Sequence, residues 1–254
     1  MKSGDLTDWK AHWIWQPTED PGQPNTYVYF RRTFELDAPL EKARLRVSAD
    51  TCYRLFLNGT LVGWGPVMTE PRWQTFDTYE IGPLLKSGTN VIGAVVYHYG
   101  NAPDNPGANT YFWSRGGFLC QLDLDPAAEP LLTDAAWQVL ESTAWRRDVP
   151  KMDRMTFCEF FDAAKEPVGW LEPDFDRQGW QQAVVVTDPL MKEWAWNPAA
   201  SVKLPWFQLD ERPIPAFVVE SRPPQAILYA GEVLERAESY YTDDLAVRMS
   251  LEQP

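Results

Sequence analysis

Asn90 to Tyr99 reads NVIGAVVYHY, apolar at odd and even positions alike and rich in β-branched residues. Side chains of a strand alternate between two faces, so this run predicts a central strand covered on both sides. Such a strand needs two layers around it. Upstream, ARLRVSAD (Ala43 to Asp50) predicts a half-buried strand, with Leu45, Val47 and Ala49 on one face and Arg44, Arg46, Ser48 and Asp50 on the other. YRLFL then runs into Asn58-Gly59 before Thr60-Leu61-Val62. Asn-Gly between apolar strands predicts a hairpin, because a type I′ turn needs positive φ at both central residues. Asn58-Gly59-Thr60 is also a glycosylation sequon, but the hairpin accounts for it.

Downstream, GFLCQLDLD (Gly117 to Asp125) alternates again, placing Phe118, Cys120, Leu122 and Leu124 on one side. Shorter strands are expected around Trp137 to Leu140, Thr156 to Phe161 and Gln182 to Val186, and a single helical turn near Ile81 to Leu85. Short strands between frequent turns predict a mainly β chain folded as a sandwich rather than βαβ units.

The 254 residues are 44% apolar and 14% aromatic, with 13 Trp, which excludes a disordered chain. A net charge of -13 repels phosphate backbones and anionic lipid, so neither nucleic acid nor a membrane is an expected partner. Cys52, Cys120 and Cys158 are too few and too scattered for a disulfide framework. The opening MKSGDLTDWKAHWIW has no apolar run of signal-peptide length. Together these predict a soluble protein of a reducing compartment, the cytoplasm.

Three segments are expected. Residues 9–188 form a β-sandwich. Residues 189–224, with Pro189, Pro198, Pro205, Pro213, Pro215, Pro223 and Pro224, form an extended connector that packs along this first domain through Trp194, Trp196, Trp206 and Phe207. Residues 225–254 are too few for a domain and read as the start of an incomplete one.

The residues offer little catalytic chemistry. His12 and His98 are the two histidines, and His98 in a central strand reads as a core imidazole. There is no nucleophile-elbow, zincin, P-loop or dinucleotide motif, and no Cys or His pair at zinc-ligand spacing. Asp174 with Asp176, and Glu159 with Asp162, are the tightest acidic groupings that could serve a glycosidase, and all four also suit turn caps. The most unusual composition is YHYGNAPDNPGANTYFW (Tyr97 to Trp113), which strings Asn101, Asp104, Asn105 and Asn109 between aromatic clusters. Sugar sites pair a ring face with amides and carboxylates, so Asn101, Asp104, Asn105, Asn109, Tyr111 and Trp113 are the candidate sugar-binding residues. The alternative is a loop whose amides satisfy its own backbone.

AHWIW (Ala11 to Trp15), YVYFRRTFEL (Tyr27 to Leu36), ADTCYRLFLNGTLVGWGP (Ala49 to Pro66), FDTYEIGPLLKSGTNVIGAVV (Phe76 to Val96), LTDAAWQV (Leu132 to Val139), DFDRQGWQQAVV (Asp174 to Val185) and LDERPIP (Leu209 to Pro215) follow one another in an order that resembles the N-terminal non-catalytic region of bacterial α-L-rhamnosidases. The resemblance implies a galactose-binding-type jelly roll preceding a helical catalytic barrel, which nothing in this chain matches. It carries no catalytic residue onto any position here. It also implies that Asp104-Asn105 could imitate the carboxylate and amide that hold calcium in some rhamnose-binding sandwiches, although the remaining ligands are not evident. No cofactor is expected to be required. The expected partners are a rhamnose-containing glycan or the catalytic domain of the parent chain. An independent lectin-like module and a small glycosidase using an acidic pair are the alternatives.

Overall fold

In a computed structural model, the described residues are 9–69, 73–100, 115–125, 129–152, 156–187, 206, 208–216 and a few positions as far as 226. The strands are β1 (Ile14–Trp15), β2 (Thr26–Leu36), β3 (Lys42–Asp50), β4 (Cys52–Leu57), β5 (Thr60–Gly65), β6 (Trp73–Glu80), β7 (Gly88–His98), β8 (Gly117–Asp125), β9 (Leu131–Leu132), β10 (Gln138–Glu141), β11 (Lys151–Met152), β12 (Thr156–Phe157), β13 (Gln181–Gln182), β14 (Val184–Val185) and β15 (Gln208–Glu211). They form two sheets. The first runs β14-β1-β8-β3-β6-β15, with β9 also on β8, and the second runs β13-β10-β2-β7-β4-β5. A separate pair joins β11 to β12. The expected turn is a short 3-10 segment at Gly82–Leu84. No helix among the described residues is long and apolar enough to cross a membrane.

β7 is interior, with β2 on one side from Thr26↔His98 to Leu36↔Gly88 and β4 on the other. Its two parities serve two cores. Ile92, Ala94 and Val96 point between the sheets, where they meet Phe30 of β2, Leu45 and Val47 of β3, Leu55 of β4 and Phe118 and Cys120 of β8. Each of the larger ones (Val, Leu, Ile, Phe) contributes roughly 1.5–3 kcal/mol when removed from water. Val95 points outward and packs with Tyr29, Ala144, Trp145 and Trp170 under the segment that follows β10. Gly93 lies on that same outer parity, and Trp170 and Leu171 occupy the space its Cβ would take.

The expected half-exposed face of β3 is instead largely buried: Arg46, Ser48 and Asp50 are all under 9% exposed. The chain's own flanks cover it. Trp9 lies under the Arg46 guanidinium at 4.7 Å, and Trp13 stacks on Trp206 at 4.0 Å. Phe76, Leu119 and Leu209 complete this layer.

Asn58 (φ 50°) and Gly59 (φ 80°) form the two-residue turn between β4 and β5, with Leu57 facing Thr60. Asn58 also ties the turn to β7: its Oδ1 accepts from Val91 N at 2.9 Å and its Nδ2 donates to Asn90 Oδ1 at 2.9 Å. The sequon amide is therefore structural. The Pro-rich stretch has its described strand, β15, on the edge of the first sheet, parallel to β6. Residues 188–205 and 227–254 lie outside the described residues.

Candidate functional site

The second sheet's outer face is only partly covered. Strand register sorts its side chains into rows. Tyr27, Tyr97 and Cys52 are neighbours across β2, β7 and β4, and Tyr29, Val95, Arg54 and Trp64 form the next row out to β5. In the third row Arg31, beside Gly93 and Phe56, is buried by residues 170–173, whose carbonyls it holds: Nε donates to Trp170 O at 2.8 Å and Nη2 to Glu172 O at 2.6 Å. The same segment also packs on Tyr29 and Val95 of the second row, and past it Tyr27, Tyr97, Cys52, Arg54 and Trp64 open into a cavity of about 340 Å³. That lies near the lower end of small-ligand sites.

Aromatic rings make its floor and wall. Tyr27 stacks flat on Trp145 (4.5 Å between centroids, 7° between planes) and lies against Tyr97 at 4.4 Å. Trp64 rises from the edge strand with 37% of its surface exposed. Two charged side chains complete the lining, Arg54 and Glu159. Glu159 Oε1 accepts the Trp145 indole N–H at 2.8 Å, fixing the ring, and Oε2 has no hydrogen-bond partner among the described residues. Arg54 is exposed and makes no hydrogen bond or ion pair among the described residues. Burial raises the pKa of the Tyr27 and Tyr97 phenols, so they stay protonated donors at neutral pH. Burial likewise pushes the Cys52 thiol up to about 11, so it is no thiolate nucleophile.

Beside the cavity, a polar cluster closes the open edge of the sandwich. Asp77 accepts from Tyr53 and from Arg212 Nε, Arg212 Nη2 donates to Trp64 O at 3.2 Å, and the Tyr53 and Tyr79 hydroxyls meet at 3.1 Å. Gly65 makes room for it, since a Cβ there would strike Asp77.

The sequence candidates fare unequally. Asn101, Asp104, Asn105, Asn109, Tyr111 and Trp113 lie outside the described residues. His98 is fully buried, edge-on to Trp15, with Nδ1 3.4 Å from Asp50 Oδ1. One member of each acidic grouping caps a turn: Asp162 Oδ1 accepts from Ala164 N at 3.1 Å, and Asp176 Oδ1 from Gln178 N at 3.1 Å. Glu159 alone among them lines the cavity. No group of three or more His, Cys, Asp or Glu able to hold a metal ion occurs among the described residues.

Sequence reasoning missed Tyr27, Arg54, Trp64 and Trp145. The signal for Arg54 and Trp64 lay in the hairpin, but its simple register misleads. Counting back from Asn58-Gly59 pairs Arg54 with Gly63; an irregularity between Leu55 and Phe56 shifts the partner to Trp64.

Two stacked sheets with an aromatic-floored pocket on the outer face of one define a β-sandwich module of the accessory-domain type. Residues 38–209 match the alpha-L-rhamnosidase N-terminal domain, and the chain belongs to that family. An alpha-L-rhamnosidase of Formosa agariphila is 29% identical over 212 residues, covering 74% of this chain and 22% of its own length. One from Alteromonas sp. is 29% identical over 201 residues, covering 71% and 20%. Among solved structures, the GH78 family rhamnosidase of Bacillus sp. GL1 superposes with a TM-score of 0.67 at 34% identity, over 82% of this chain and 20% of that one. An alpha-L-rhamnosidase of Dictyoglomus thermophilum, at 21% identity and TM-score 0.56 over 72% and 21%, shares the fold. The chain thus spans about a fifth of the length of these relatives.

Proposed function

We infer that this chain is the accessory sandwich of an α-L-rhamnosidase-type glycoside hydrolase, and that it engages the glycan through the cavity on its second sheet. The supporting observation is the Tyr27-Trp145 ring pair, locked by Glu159, at the border of the uncovered part of that face. A fixed ring face stacks against the C–H face of a pyranose, while Glu159 Oε2 and the phenols exchange hydrogen bonds with hydroxyls. The 97–113 loop is a second proposed contributor, on sequence grounds: Asn101 follows the cavity residue Tyr97 by four positions, and Asp104, Asn105 and Asn109 supply carboxylate and amides. Calcium at Asp104-Asn105 stays a proposal of the same kind. The parent enzyme's catalytic domain is the proposed second partner, and the cytoplasm the proposed location.

Hydrolysis is assigned to other parts of the parent protein, because a glycosidase needs an acid and a base facing each other across the bond, whereas Asp162 and Asp176 cap turns and Glu159 holds the Trp145 indole. Calorimetric titration of the purified chain with L-rhamnose and D-galactose, with and without calcium, tests the reading. Binding weakened by Tyr27→Ala or Glu159→Ala supports the cavity. No binding of either sugar favours a bracing role, and turnover of an aryl rhamnoside lost on Asp174→Asn or Asp176→Asn would restore the small-glycosidase alternative.

A further inference from the structure

The lining of the cavity is electrically divided in a way that a neutral sugar does not use. Arg54 projects from β4 into an aromatic surround of Tyr97, Trp64 and Trp145, with no hydrogen-bond or ion-pair partner among the described residues. Glu159 stands elsewhere on the same lining, is already engaged by the Trp145 indole, and forms no ion pair with Arg54. Two opposite charges in one small cavity, both exposed and uncoupled, give a ligand two unlike ends to meet. A planar guanidinium offers paired N–H groups matched to a carboxylate, whereas a neutral hydroxymethyl group uses one of them at most.

We propose that the cavity selects a pyranose carrying a carboxylate, a uronic acid residue, with the carboxylate on Arg54, the ring against Tyr27 and Trp145, and ring hydroxyls donating to Glu159. This rests on the carbohydrate role proposed above and names its substrate class. The charge division also sets direction, because a carboxylate turned toward Glu159 is repelled. It acts locally against the chain's net charge of -13, which repels anions at longer range.

The test uses matched pairs that differ in the group at C6, methyl β-D-glucuronide against methyl β-D-glucoside and methyl α-D-galacturonide against methyl α-D-galactoside, titrated into the full chain by NMR or calorimetry. The wild type is expected to prefer at least one charged member roughly tenfold, the size of one charge-assisted contact, with the preference shrinking as salt is raised. Arg54→Met should bring that ratio to about one and Arg54→Lys should retain part of it. Glu159→Gln keeps an acceptor for Trp145, removes the opposing charge and should raise the ratio. Thermal melts confirm that each variant is folded. Equal affinity within both pairs in the wild type, or a preference that survives Arg54→Met, overturns the uronate assignment and leaves the carbohydrate role standing. Binding of none of the four, nor of L-rhamnose, overturns both.

Discussion

Arg212 donates from Nε to Oδ1 of Asp77, joining the segment after the last strand to the inner face of β6 across 135 positions of sequence. Their side chains are 9% and 3% exposed, and Tyr53 donates to the other carboxylate oxygen. The pair anchors the Pro-rich tail to the sandwich at the point where Trp64 leaves the edge strand.

Removing one partner of a buried ion pair strands the other. Asp77→Asn is therefore expected to cost about 3–5 kcal/mol, and Arg212→Met a comparable amount. The double variant should cost less than the sum of the two, because it leaves no unpaired charge. Urea unfolding of the four proteins reads this directly; strictly additive losses would mean that the two residues act independently.

Gly59→Val should cost about 1–2 kcal/mol. Nothing lies within 4 Å of the Cβ it would add, so the penalty comes wholly from the φ of 80°. Gly59→Asn, which tolerates that φ, should cost markedly less. Equal losses in the two variants would point to a contact instead of the backbone.

Gly93→Ala puts a methyl where Trp170 Cζ3 and Leu171 Cδ2 sit, 2.5 and 2.6 Å from its Cβ. The cover must shift, at about 1–3 kcal/mol for an overpacked site. The shift also disturbs the carbonyls that Arg31 holds. A red-shifted, more readily quenched tryptophan emission in the folded protein is the expected sign, and an unchanged spectrum would contradict it.

Stability should fall in alkali. Burial raises the pKa of Tyr27, Tyr29, Tyr53 and Tyr97 above their ordinary 10.0, helped at Tyr53 by the Asp77 carboxylate. Groups with raised folded values contribute fully below the unfolded pKa, and that contribution is lost as pH rises beyond it, when the unfolded chain releases protons that the folded chain retains. For Tyr53, 2% exposed, the loss is about 1.4 kcal/mol per pH unit above 10. Phenolate absorbance followed from pH 9 to 12 should rise together with unfolding; titration of all tyrosines near pH 10 in a still-folded chain would contradict the burial argument.

The sequence by itself determined the layers. Apolar residues at both parities of NVIGAVVYHY predict an interior strand, and β7 is one; Asn58-Gly59 predicts a type I′ hairpin, and both residues have positive φ. These are local properties, set by side-chain periodicity and by which backbone angles a residue tolerates. What covers each sheet was not legible. Arg46, Ser48 and Asp50 read as solvent-facing because nothing nearby in sequence says that Trp9, Trp13 and Trp206 will fold over them. The cavity lay still further from view. It needs the register of four strands, an irregularity that moves Trp64 opposite Arg54, and a cover by Ala144, Trp145, Trp170 and Leu171 that packs on Tyr29, Gly93 and Val95 and leaves Arg54 and Trp64 open. Each of these depends on residues brought together from far apart in the chain, and only tertiary packing decides which parts of a sheet face are covered and which stay open to a ligand.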